Sequence, residues 1–187
     1  MIEKNVYHKL NDYIKASGDL AVKLYKEDIE AALRTKDFGG FELLSLSDYT
    51  GQSTATVGIL DVFYESKGLI SHDEFKNFAG EAVPLFKAKR IFKNTDTLEA
   101  ELDLYDFGEK KINNPVYNLT VQNGKQVFYK TSTTESKVSI PLNSITKSTM
   151  LSVILEVNGY KNTWRIFVFA ENKIENNVRM IKIGRRT

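Results

Sequence analysis

Near Lys89 the hydrophobic period of this chain changes, and that change limits the folds open to it more than any other feature. Upstream, Leu10 and Ile14, Leu20 and Leu24, and Ile29 and Leu33 recur four apart, the spacing of one helix face. Downstream, Leu98, Ala100, Leu102 and Leu104 alternate with Glu99, Glu101 and Asp103, the period of a half-buried strand. A helical first part and an all-β second part are therefore expected, with the boundary near Lys87.

In the first part, residues 2–35 read as two helices interrupted at Gly18, the second capped by Ser17 or Asp19 and carrying Lys26 and Glu30 as an i,i+4 pair on its exposed side. Asp37-Phe-Gly-Gly40 ends it, glycine supplying the left-handed stop. Phe41 to Leu46 is a short, nearly continuous apolar run that predicts a strand buried on both faces. A polar loop from Ser47 to Thr54 follows, then a helical turn from Ala55 to Tyr64. Helix, buried strand, polar loop and helix is the unit of a β/α barrel, where ligands are met at the C-terminal ends of the strands. That rule singles out Asp48 and Gln52. Ser71-His-Asp-Glu74 has the form of a capping box opening a short helix.

In the second part, strands are predicted at Val116–Val121, Gln126–Lys130, Val138–Pro141, Leu151–Val157 and Thr163–Phe169, with tight turns at Asn123-Gly124 and Asn158-Gly159. A further candidate strand lies at Arg179–Ile183. Short antiparallel strands at this spacing read as an immunoglobulin-like β-sandwich. The fold class is thus α+β. Residues 1–86 are expected to form a helical segment with one barrel-type strand, and residues 87–187 the sandwich.

Composition narrows the function classes. The 187 residues carry a formal net charge of +2, which gives no electrostatic reason to expect nucleic acid or a membrane as partner. There is no cysteine, so disulfides, thiolate metal sites and thiol nucleophiles are excluded. The N-terminus shows no basic-then-apolar leader. His8 and His72 have no metal-ligand spacing and read as surface residues. No cofactor motif is present. Trp164, the single tryptophan, alternates with Ile166 and Val168 and reads as sandwich core rather than a sugar-stacking ring. Tyr105 and Phe107 read either as an exposed aromatic patch or as an interface with the helical region.

Three segments together carry a family resemblance: Tyr25-Lys-Glu-Asp-Ile-Glu-Ala-Ala-Leu-Arg-Thr35; Gly40-Phe-Glu-Leu-Leu-Ser-Leu-Ser-Asp-Tyr-Thr-Gly-Gln-Ser-Thr-Ala-Thr-Val-Gly-Ile-Leu-Asp61; and Ser66-Lys-Gly68 with Val83-Pro-Leu85. They resemble the end of the catalytic barrel in bacterial β-galactosidase-like enzymes of glycoside hydrolase family 2. Asn162-Thr-Trp-Arg-Ile-Phe-Val-Phe169 is similar to that group's last sandwich strand. The resemblance implies that Phe41–Leu46 is the eighth barrel strand, and that the acid/base and nucleophile carboxylates, on the fourth and seventh strands, lie upstream of Met1. It also implies a periplasmic or secreted parent enzyme acting on carbohydrate.

Asp48 and Gln52 would then contact substrate at the rim of the sugar site, and no catalytic residue is expected in this chain. Glycoside hydrolysis needs two carboxyl groups flanking one bond, and no second carboxylate is placed to partner Asp48. Read from the residues alone, Asp48 serves equally as an N-cap or turn residue, and Gln52 as a solvated loop residue. The expected partners are carbohydrate through the parent enzyme, and either the missing barrel portion or a second copy across the exposed strand. The alternative is a stand-alone carbohydrate- or protein-binding sandwich.

Overall fold

A computed structural model describes residues 6–51 and 56–171. The architecture of the described residues is α+β: an N-terminal helical region followed by eight strands in two sheets. After a 3-10 turn at Tyr7–Lys9 comes helix α1, Leu10–Arg34. It is one helix rather than the two expected. A glycine inside a helix costs about 1 kcal/mol relative to alanine. At Gly18 its lack of a side chain admits Leu69, whose Cδ2 would lie 2.3 Å from a Cβ there. Past the helix end, Asp37 takes the left-handed conformation at φ 60°, and Gly40 follows at φ 138°.

The described residues between 35 and 71 form neither the expected strand nor the helix after it. Among the described residues Phe41–Leu46 has no ladder partner, and Ser45 sits at φ 68°, which breaks an extended run. Among the described residues, the β-pairing nearby consists of single bridges from Leu60 to Ser47 and to Ser66. Nor is Phe41–Leu46 buried: Leu44 is 85% exposed and Leu46 40%. At 56–64 the Asp61 side chain accepts the Phe63 and Glu65 N–H groups, at 2.8 and 2.9 Å. Local bonds of this kind compete with the helical ladder, and the segment turns sharply instead, with Tyr64 at φ 63°.

Helix α2, His72–Ala79, opens on the capping box read from the sequence, with Ser71 Oγ accepting the Glu74 N–H and Glu74 accepting the Ser71 N–H. His72 opens this helix and is exposed, as is His8. Then come β1 (Ala82–Lys87), β2 (Ile91–Lys93), β3 (Thr97–Asp106), β4 (Tyr117–Asn123), β5 (Gln126–Thr133), β6 (Lys137–Pro141), β7 (Thr149–Val157) and β8 (Tyr160–Phe169). One sheet has the order β1-β3-β6 and the other β2-β8-β7-β4-β5. Strand neighbours run antiparallel except β2 and β8, which are parallel. The Asn158-Gly159 turn, at φ 50° and 87°, joins β7 to β8. The candidate strand Arg179–Ile183 falls outside the described residues.

The main core lies between the sheets. Leu98, Ala100 and Leu102 of β3 meet Leu119 and Val121 of β4, Leu151, Val153 and Leu155 of β7, and Trp164, Ile166 and Val168 of β8. Each such side chain contributes on the order of 1.5–3 kcal/mol by leaving water. Trp164 is 3% exposed, in the core position its alternation predicts.

Strand β1 lies ahead of the expected boundary and is buried along Ala82–Phe86. Phe86 belongs to the core between the sheets, while Val83 and Leu85 pack against Ile29 and Leu33 of α1 and Phe78 of α2. Tyr105 packs against this second cluster and donates its hydroxyl to the Phe38 carbonyl at 3.2 Å. Of the two sequence readings for Tyr105, the interface with the helical region is the one realised; Phe107 stands against its ring at 4.4 Å and is 46% exposed. No described helix is long and apolar enough to cross a membrane.

Candidate functional site

Asp48, the residue singled out by the barrel rule, sits where the chain between α1 and α2 folds back on itself. The Asp48 N–H donates to the Leu60 carbonyl at 3.0 Å, and the Leu60 N–H donates to Leu46 at 3.1 Å. The Asp48 carboxylate then closes the loop. Oδ1 accepts the Gly58 N–H at 2.8 Å and a Lys67 Nζ proton at 2.9 Å, and Oδ2 lies 2.8 Å from the same ammonium. Lys67 also donates to the Gly58 carbonyl at 2.9 Å. Gly58 is required by this close approach, since a Cβ there would lie 2.4 Å from the Ser47 carbonyl carbon.

The electrostatics follow from these contacts. The Lys67 ammonium, helped by the Gly58 N–H, holds the Asp48 carboxyl below the usual carboxylate range. A glycosidase general acid needs the opposite shift, so that it carries a proton near neutrality. Asp48 is therefore an ionised brace that fixes Ser47, Gly58 and Lys67 relative to one another. Gln52, the other expected substrate contact, lies outside the described residues. Among those residues no three His, Cys, Asp or Glu side chains are grouped to hold a metal ion.

The brace presents apolar side chains outward. Leu44 and Leu46 lie on one arm of the loop and Phe63 and Tyr64 on the other, at 85, 40, 78 and 71% exposure. Ser45 and Tyr64, both at positive φ, sit among them. Left-handed backbone at a bulky residue costs about 1–2 kcal/mol, so the surrounding bonds hold these turns in place. Two shallow surface grooves lie elsewhere. One is lined by Lys87, Glu99, Glu101 and Lys137, and the other by Lys76, Glu81, Tyr160 and Lys161.

A second polar centre went unread in the sequence. Glu30, expected on an exposed helix face, is fully buried. Its Oε2 accepts the Trp164 indole N–H at 2.8 Å, and its Oε1 accepts an Asn162 Nδ2 proton at 2.8 Å. Lys26 Nζ lies 3.0 Å from Oε1 and Arg34 Nη1 3.3 Å from Oε2. Asn162, also fully buried, reaches the Pro84 carbonyl of β1 at 3.0 Å and accepts from Lys26. The Lys26 ammonium stands 4.9 Å from the Trp164 ring centroid and 5.4 Å from that of Phe78. Burial lowers the Lys26 pKa, opposed by the pairing with Glu30. These contacts tie α1 to β1 and β8. One signal was present: Glu30 adjoins Ile29 on the apolar stripe that includes Leu33, and basic residues stand four positions away on either side.

Residues 96–170 match a family described as a domain of unknown function (DUF8488). The match runs from the start of β3 to the end of β8 and leaves α1, α2, β1 and β2 outside it. None of the curated proteins matches this chain.

Proposed function

We propose that this chain is the C-terminal part of a carbohydrate-degrading enzyme similar to the β-galactosidase-like glycoside hydrolases of family 2, and that it is inert alone. In this reading the region from α1 to α2 closes one flank of the catalytic barrel, and the two sheets form an immunoglobulin-like sandwich that buttresses the sugar cleft. The observation that carries it is the exposure of four apolar side chains, Leu44, Leu46, Phe63 and Tyr64, on the loop that the Asp48–Lys67 brace closes. Large apolar side chains exposed together on one braced loop support a surface that meets more protein. The strand orders β1-β3-β6 and β2-β8-β7-β4-β5 support the sandwich assignment, because the run β8-β7-β4-β5 has the order G-F-C-C′ and β1-β3-β6 the order A-B-E.

Asp48 then acts as a positioning residue at the cleft rim, and Gln52 keeps the substrate contact that the resemblance gives it. Sequencing the genomic DNA ahead of the Met1 codon tests the reading. An open frame encoding seven further strands, with carboxylates on the fourth and seventh, is the expected result. An in-frame stop with a ribosome-binding site directly upstream overturns it, and so does glycosidase turnover by the purified chain.

A second reading is favoured by the apolar side chains of the five-stranded sheet. Ile91 and Met150 both pair with Phe167, and all three are exposed, as is Phe169. Here the sandwich is a binding module for a carbohydrate or a protein. Saturable ligand binding that disappears in Phe167→Ser, with the fold intact, would favour this reading over the first.

A further inference from the structure

We draw no further inference here: the strongest candidate, the apolar row of Ile91, Phe167 and Met150 with Phe169 on the outer face of the five-stranded sheet, is an unpartnered face, and nothing in the structure shows what covers it.

Discussion

Trp164 donates its indole N–H to the carboxylate of Glu30 across 2.8 Å, and the two residues are 134 positions apart in the chain. Both are buried, and the bond joins the long helix α1 to strand β8. Replacing Glu30 by alanine leaves the Trp164 and Asn162 donors and the Lys26 ammonium without their shared acceptor. Removing one member of a buried charge network costs about 3–5 kcal/mol. The single tryptophan makes this measurable by urea unfolding followed through its fluorescence. A loss below about 1 kcal/mol would mean that the network contributes little to holding α1 in place.

Lys26 gives the fold a pH dependence of definite sign. Burial lowers its pKa in the folded state, so the unfolded chain binds more protons between that lowered value and the ordinary lysine value. Stability from this group therefore rises with pH through the window and is smallest below it. Wild type and Lys26→Met should diverge in slope as pH rises from neutrality, with the rise absent in the variant. Parallel stability curves would contradict the assignment.

The Asp48 carboxylate has the same sign in a more acidic window. Its pKa is depressed by Lys67 and the Gly58 N–H, so the stability it provides is present above the ordinary aspartate range and is lost as pH falls through the folded value. Asp48→Asn should loosen residues 46–67 without unfolding the sheets. Chymotrypsin should cut the variant several-fold faster at Phe63 and Tyr64, while thermal unfolding of the sandwich stays near wild type. Unchanged cleavage would show that the brace does not hold the segment.

If the face of Leu44, Leu46, Phe63 and Tyr64 is made to meet more protein, the isolated chain should self-associate through it as its concentration rises. The double change Leu44→Ser and Phe63→Ser should return it to a monomer in analytical ultracentrifugation. Both side chains are mostly exposed, so folding should survive. A wild-type monomer at concentrations up to about 100 times a micromolar Kd would count against this surface as an interface.

Gly159 isolates a backbone effect. Its φ is 87°, and a Cβ there would meet nothing within 4 Å. Gly159→Ala should cost about 1 kcal/mol through conformation alone, measurable as a lower midpoint in denaturant with unchanged slope. A neutral result would mean that the turn relaxes to another form.

What could be read from the sequence divides along a physical line. Five strands from β4 to β8 and the alternating part of β3 follow from side chains two apart, which is local information. The capping box at Ser71 and the turn at Asn158-Gly159 are local as well. Strand β2 has three residues, too few for an alternation to register. Strand β1 contains Pro84, which removes a backbone donor; it is tolerated because β1 hydrogen-bonds to β3 alone in its sheet. Phe41–Leu46 misled because an apolar run looks the same whether it faces a core or faces outward. The Asp48–Lys67 and Glu30–Trp164 pairs, 19 and 134 residues apart, leave no trace in local spacing.

Strand β1 carries a consequence for anyone who would cut or splice this chain. It is a shared wall: Phe86 faces one hydrophobic core, Val83 and Leu85 face the other, and Asn162 grips it at Pro84. A recombination breakpoint at residue 87 would give the wall to one fragment and leave the other with an unlined interior. A junction at Gly80 or Glu81 keeps the wall with the sandwich but strips the helices from its outer surface. The two regions are therefore better inherited, transplanted or expressed as one piece than as interchangeable parts.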